Sequence, residues 1–143
     1  MMEEKPKRQH SLPNRQLARA FNFSADDLAT NRAGYMTWSQ AWDIPLWLRR
    51  FSIFHSIKSS RRKIERMCGK AKLQYKQLQI SSLFHADIIE VYLLNINSFE
   101  FRLTAQQYRI ISEGLPYWVY YAPETTHILS LERAIQGCHE MGN

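Results

Sequence analysis

The sequence predicts an α+β fold in which N-terminal helices pack on a small, strongly bent antiparallel five-stranded sheet or partly open barrel carrying one inserted short helix. Three observations predict it. From Phe99 to Glu132 the hydrophobic period runs from two to about 3.6 and back to two, which reads strand, helix, strand, strand. Residues 72–96 carry two further apolar-rich runs that end in a tight connection at Asn97 and Ser98, the pattern of an antiparallel hairpin. Residues 19–70 carry helix-start signals in place of alternation.

Taken in order, residues 1–18 combine charge, Pro6 and Pro13 with few large apolar side chains, so a disordered basic tail is expected. Residues 19–70 read as a helical basic segment. In SADDLATNRAG, Ser24 is the N-cap, Asp26 and Asp27 fall in the first turn where the helix dipole favours anions, and Gly34 is the stop. Thr37 and Gln40 then have the spacing of a capping box that opens a helix running towards Gly69, kinked or restarted at Pro45. Its apolar face combines Trp42, Leu46, Ile53, Ile57 and Ile64 with Trp47, Phe51 and Phe54. Arg49, Arg50, Lys58, Arg61, Arg62, Lys63 and Arg66 are too many cations to bury, and the arginine pair interrupts DIPLWLRRFSIFHSI before the ~20 apolar residues that a bilayer span needs.

Residues 71–134 read as the small β domain. Leu73 and Tyr75 alternate with polar residues, as do Leu78 and Ile80, but the phase slips between the two pairs, and a β-bulge or strong bend is expected to absorb the slip. Ile88 to Ile96 is apolar at nearly every position, as in a strand central to the sheet or covered on both faces. Phe99, Phe101 and Leu103 alternate with Glu100 and Arg102. Thr104 and Gln107 make a capping box for a helix face bearing Tyr108 and Ile111, which Gly114 ends in the left-handed conformation. Tyr117 to Tyr121 is aromatic and β-branched, Pro123 closes it, and Ile128 to Glu132 forms the last strand. Residues 135–143 read as a flexible tail.

Charge separates the two halves. Residues 1–72 hold fifteen Lys and Arg against six Asp and Glu, a balance of +9, whereas residues 73–143 hold four against seven, a balance of −3. A basic half facing solvent attracts an anionic partner, either lipid head groups or nucleic acid. Cys68, at a helix end, and Cys138, in the tail, form no metal or redox motif. No apolar signal core precedes them, so a reduced intracellular pair is the favoured reading and a disulfide the other, with a cytoplasmic location, peripheral to a membrane, as the expectation.

Catalytic chemistry finds little footing. His10, His55, His85, His127 and His139 are scattered, no Gly-rich phosphate loop exists among five glycines, and Cys138 beside His139 lies on the tail. Glu90 and Glu100 are a conceivable carboxylate pair across the hairpin, but outward-facing strand charges explain them. No enzyme, no cofactor, no metal and no small-molecule substrate is expected. Trp118 and Tyr120 alternate with Tyr117, Val119 and Tyr121; one set belongs in the core, and Trp118 with Tyr120 is a candidate aromatic platform.

The motif NRAGYMTWSQ, with Asn31, Arg32, Gly34, Thr37 and Gln40, and the ending YWVYYAPETTHILSLE together resemble a group of membrane-associated proteins of no known function. In those, the first motif precedes two transmembrane helices and the second closes a small soluble β domain. The resemblance covers most of residues 21–134 and implies that architecture. The chain departs from it where the apolar helix pair is replaced by the Arg-interrupted segment, so membrane insertion is not implied. The function expected is a non-enzymatic interaction module, peripheral at an anionic membrane surface or bound to a protein partner. The membrane- or partner-binding residues are Trp42, Trp47, Arg49, Arg50, Lys58, Arg61, Arg62, Lys63 and Arg66. The alternative is a nucleic-acid-binding β domain with a basic helical extension.

Overall fold

A computed structural model describes residues 14–43, 62–122 and 126–138. Local capping signals locate the helices. Asn14 accepts hydrogen bonds from the backbone N–H groups of Gln16 and Leu17 and opens α1 (Arg15–Phe21), whose Leu17 and Phe21 are buried. The disordered tail expected over residues 1–18 is corrected to that extent, because Leu17 and Phe21 supply an apolar face at helical spacing. Residues 1–13 lie outside the described residues. Ser24 and Asp27 form a reciprocal capping box at the start of α2 (Ala25–Arg32), and Gly34 follows with a φ of +98°. After the two-residue β1 (Tyr35–Met36), Thr37 and Gln40 exchange backbone-to-side-chain bonds at α3 (Trp38–Asp43).

The helix expected to continue towards Gly69 does not. Residues 44–61 lie outside the described residues, and the chain re-enters as β2 (Arg62–Lys63), paired antiparallel with β1, and β3 (Glu65–Lys70). Tertiary pairing overrides helical patterning here, because β3 is the edge strand that β7 needs. Next come β4 (Lys72–Ser81), β5 (Ala86–Ile96), β6 (Phe99–Leu103), α4 (Ala105–Ile110), β7 (Pro116–Tyr121) and β8 (Ile128–Arg133). Asn97 and Ser98, both at positive φ, make the two-residue turn between β5 and β6. Thr104 and Gln107 cap α4 as their spacing predicts. Gly114 is left-handed, at a φ of +85°, but it shapes the turn into β7 three residues after the C-cap, Ile111.

The result is α+β, with four helices among the described residues and two three-stranded antiparallel sheets ordered β4-β5-β6 and β3-β7-β8. All five expected strands form, yet the single five-stranded sheet or barrel is corrected: α4 and its turn separate β6 from β7, and β3 takes the place beside β7. The chain crosses between sheets at fully buried Ala71, which donates to the Leu115 carbonyl and accepts from the Gly114 N–H. The shared core holds Leu94, Ile96, Phe101 and Leu103 from one sheet, Tyr117, Val119, Tyr121 and Leu131 from the other, and Leu17, Phe21 and Leu28 from the helices. Gly69 sets the spacing of the sheets. A Cβ there would lie 2.7 Å from both the Asn97 Oδ1 and the Ile96 Cγ2, and Asn97 Nδ2 uses the approach to donate to the Cys68 carbonyl at 2.7 Å.

A polar network fastens α2 and α3 to the outer side of β8. Asn31 and Gln40 are buried and exchange reciprocal amide bonds: Asn31 Nδ2 donates to Gln40 Oε1 at 2.7 Å, and Gln40 Nε2 donates to Asn31 Oδ1 at 2.9 Å. Asn31 also donates to the Tyr35 carbonyl and accepts from Ser130 Oγ, while Gln40 donates to the Leu129 carbonyl and accepts from the Thr37 N–H. Every donor and acceptor position of both amides is thereby used. Beside it Thr37 Oγ1 donates to Asp27, and Arg32 forms two 2.8 Å bonds with Glu132.

The reduced cysteine pair expected from the sequence is also corrected. Cys68, on β3 and not at a helix end, is disulfide-bonded to Cys138, with Cα atoms 5.5 Å apart and a sequence separation of 70. The bond fastens the start of the expected flexible tail to the sheet.

Two stability outcomes follow from these ties. Reduction, or Cys138→Ser, is expected to cost about 4 kcal/mol on the chain-entropy relation for a loop of this length, read as a lower urea midpoint with secondary structure unchanged in buffer. An unmoved midpoint would show that the tie does not restrain the unfolded chain. Asn31→Ala leaves the buried Gln40 amide and Ser130 hydroxyl without their partner and is expected to lower unfolding free energy by about 3 kcal/mol in the same measurement.

Candidate interaction surface

The β4–β5 pairing is unbroken from Lys72 opposite Asn95 to Ser81 opposite Ala86, whereas β6 accompanies β5 only as far as Tyr92, opposite Leu103. Beyond that point six residues of each strand continue as a two-stranded arm, which at the rise of a β-strand projects about 20 Å. No other strand among the described residues pairs with the outer edge of β4 or with β5 in this arm.

The β-bulge expected between Tyr75 and Leu78 is absent, and the phase slip has another cause. Leu73 and Tyr75 share a face with Leu94 and Tyr92, the face laid on the core at the base of the ribbon. Leu78 and Ile80 lie on the opposite face, with Ile89 and Asp87 across from them. The apolar pattern changes face where the ribbon leaves the body. The central position expected for β5 holds only at its base; residues 86–90 are exposed.

At the tip, Ser82 and His85 close the turn, with the Ser82 N–H donating to the His85 carbonyl at 2.8 Å. Between them Leu83 is 97% exposed and Phe84 88% exposed. Leu78, Ile80, Ile88 and Ile89 add apolar surface just below. The root is stiffened: Tyr92 packs its ring on Tyr75 and Tyr108, and Glu90 accepts hydrogen bonds from both the Tyr75 and the Tyr92 hydroxyls. The bond to Glu90 pushes the Tyr92 phenol above its ordinary value. From Gln77 to Phe101 there is no Lys or Arg, and the arm's charges are Lys76 at its base with Asp87 and Glu90 farther out. Exposed apolar side chains in this number on one projecting element mark a contact surface.

The residues singled out by sequence fall in several places. Trp42 is 60% exposed on α3, edge-on to Trp38, which is 74% exposed. Arg62 and Lys63 form β2, directly after the segment that leaves α3. Arg66 lies on β3, its guanidinium 6.0 Å from the ring centre of Trp118. One basic helical face over residues 62–66 is therefore corrected, because strand geometry sends those side chains to different sides. Trp47, Arg49, Arg50, Lys58 and Arg61 lie outside the described residues.

The aromatic platform is corrected too. Tyr120 is buried and donates to Glu132, which also holds Arg32. Burial, then the Glu132 carboxylate, pushes its phenol far up. Trp118 is half-buried beside Arg66. Stacking on bases needs open ring faces, which this pair does not offer. Glu90 and Glu100 are not brought together either: Glu90 stands opposite Gln77, and Glu100 opposite Asn95. Among the described residues no group of three or more His, Cys, Asp and Glu could hold a metal ion. A shallow depression runs past Arg102, Leu103, Thr104, Gln107, His127 and Ile128. It brings the start of β8 against the end of β6.

Sequence reasoning missed Leu78, Ile80, Leu83, Phe84, Ile88 and Ile89 as a surface. The phase slip was the available signal, since apolar residues that change face cannot all meet one core. If the tip stands clear of the core, Leu83→Asp and Phe84→Asp leave the unfolding free energy within about 0.5 kcal/mol of the parent, whereas Leu94→Ala at the base costs about 3 kcal/mol. A large loss from either tip substitution would place those side chains in the folded core. No protein-family model, no curated protein and no solved structure matches the chain.

Proposed function

We propose that this chain is a non-enzymatic interaction module that attaches peripherally to an anionic membrane surface. The observation that carries the reading is the pair Trp38 and Trp42, exposed and edge-on to one another on α3, immediately before the apolar, basic stretch that runs to Arg66. Indole rings partition to the head-group level of a bilayer, and Lys and Arg near the surface each gain about 1 kcal/mol from anionic lipid. Among the described residues no helix is long and apolar enough to cross a membrane, and attachment in the interface does not require one.

The nucleic-acid alternative draws on the same cations but loses support at its aromatic component, because Tyr120 is buried and held by Glu132. A disulfide persists where thiols stay oxidised, which favours a non-cytoplasmic membrane face over the cytoplasmic location that a reduced pair would suit.

The test is co-sedimentation with phosphatidylcholine vesicles and with mixed phosphatidylcholine–phosphatidylserine vesicles at low and physiological salt, with a short oligonucleotide as competitor. Binding is expected to the anionic vesicles alone, weakening as salt rises. The Arg61→Ala, Arg62→Ala and Lys63→Ala substitutions are each expected to weaken it about fivefold. Competition by the oligonucleotide at a saturable site would instead favour the alternative, and no sedimentation at all would overturn the membrane reading.

A further inference from the structure

Beyond the body, the two faces of the β4–β5 ribbon differ in kind. The face that continues from the core side of the base bears Gln77, Gln79, Ser81 and Glu90, and is apolar only at Ala86 and Ile88. The opposite, outer face carries three cross-strand rows: Lys76 with Val91 at the base of the arm, Leu78 with Ile89 in the middle, and Ile80 with Asp87 near the tip. Inward of Gln74 and Leu93 that outer face is polar, at Lys72 and Asn95. Its apolar patch therefore belongs to the arm, where Leu78 and Ile80 are each 50% exposed. A two-stranded ribbon with water on both faces is marginal by itself, and the outer face is the one with apolar area to bury.

We infer that this outer face is a homodimer contact, in which the arms of two copies of the chain stack face to face with strands antiparallel, about a two-fold axis through the Leu78–Ile89 row. The inference stands independently of membrane attachment. The two charges of the patch identify the occupant. Lys76 and Asp87 sit at diagonally opposite corners, on different strands and four residues apart along them, about 14 Å, and neither has an ion-pair partner among the described residues. A half-turn that reverses the strands lays β4 over β4 and β5 over β5, and so places the Lys76 row of each copy over the Asp87 row of the other. Lys76 and the second copy's Asp87 are then offset sideways by one strand spacing, about 5 Å, which a lysine side chain spans. Both corners are satisfied at once, as a two-fold contact requires. A parallel stack would leave the opposite charges about 14 Å apart.

The same half-turn sets Leu78 over Leu78 and Ile89 over Ile89 at the axis. It also carries Leu83 and Phe84, which lie just past the last row, towards Gln74 and Leu93 of the other copy, so the most exposed apolar pair is covered as well. An anionic lipid surface would match Lys76 but repel Asp87, and a neutral one would leave both without a counter-charge, whereas a second copy answers both. Stacking of faces forms no backbone bonds between copies and turns the glutamine-rich faces outward, so the assembly closes at two. Each copy contributes a footprint of about 20 Å by 10 Å, which puts the contact near 1,000 Å² in total, about the low end of specific interfaces, and a weak dimer is expected.

The test is sedimentation equilibrium on the full chain with its disulfide intact. The parent is expected to dimerise with a Kd on the order of 10 µM. Lys76→Asp and Asp87→Lys, both at exposed positions, are each expected to weaken self-association about tenfold, because each sets like charges together at both corners. Mixed in equal amounts, the two variants should associate about as tightly as the parent, since in a pair made of one of each every corner again joins opposite charges. A parent that stays monomeric up to about 1 mM, or single variants that dimerise as the parent does, overturns the inference. So does a mixture that associates no better than its components, because the antiparallel stack requires the rescue. If the parent is monomeric and Ile89→Asp abolishes its binding to phosphatidylcholine–phosphatidylserine vesicles, the face belongs to lipid and the dimer is likewise overturned.

Discussion

The reciprocal amide pair of Asn31 and Gln40 is the constraint on which the seating of α2, β1 and α3 against β8 depends. Two carboxamides buried side by side would be costly if any of their donors or acceptors lacked a partner. Here the Tyr35 carbonyl, the Leu129 carbonyl, the Thr37 N–H and the Ser130 hydroxyl complete the set, so the pair is satisfied only when α2, β1, α3 and β8 are all in place. That makes the arrangement cooperative: no single element can shift without orphaning a group on another. Arg32 and Glu132 continue the same tie at its edge, where solvent reaches them and screens much of the attraction. The consequence for function is positional. Trp38 and Trp42 stand on a short helix that has few apolar contacts of its own and is located by its polar neighbours.

Where a structural decision is local, the sequence made it legible. The Thr37–Gln40 and Thr104–Gln107 boxes and the Ser24 N-cap are each completed within one helical turn, and all are found, the last extended by Asp27 into a box where the sequence predicts only a cap. The turn at Asn97 and Ser98 is equally local, as is the alternation of β6. What failed depended on partners far away in the chain. Nothing near Glu65–Lys70 announces a strand; β3 exists because Tyr117, Val119 and their neighbours on β7 need an edge, and because Gly69 admits Asn97 and Ile96 at close range. With β3 read as helix, Cys68 had no geometry that could reach Cys138, and the disulfide was lost with it.

The candidate surface illustrates a different kind of illegibility. The phase slip between the pair Leu73 and Tyr75 and the pair Leu78 and Ile80 reads as a β-bulge or strong bend only on the assumption that alternation serves a single core. The strand is regular throughout. The environment changes along it instead, from a base packed on Tyr108 to an arm with water on both faces. A period-two pattern reports which residues share a face, but not whether that face is covered. Exposed Leu83 and Phe84 sit at a turn, where periodicity carries no information at all.

An apolar arm with two open edges invites edge-to-edge pairing, and its residues also explain how the chain could tolerate one. Lys76 stands opposite Val91 at the base of the arm, Glu90 follows, held by two tyrosine hydroxyls, and Asp87 stands across from Ile80 near the tip, so charged side chains interrupt the apolar rows. Those charges do not lower the cost of exposing Leu83 and Phe84 to water; they oppose the edge-to-edge pairing of one arm with another. Had the apolar residues served only to stiffen the hairpin, the pairs nearest the body would carry them, yet the most exposed pair lies at the farthest point.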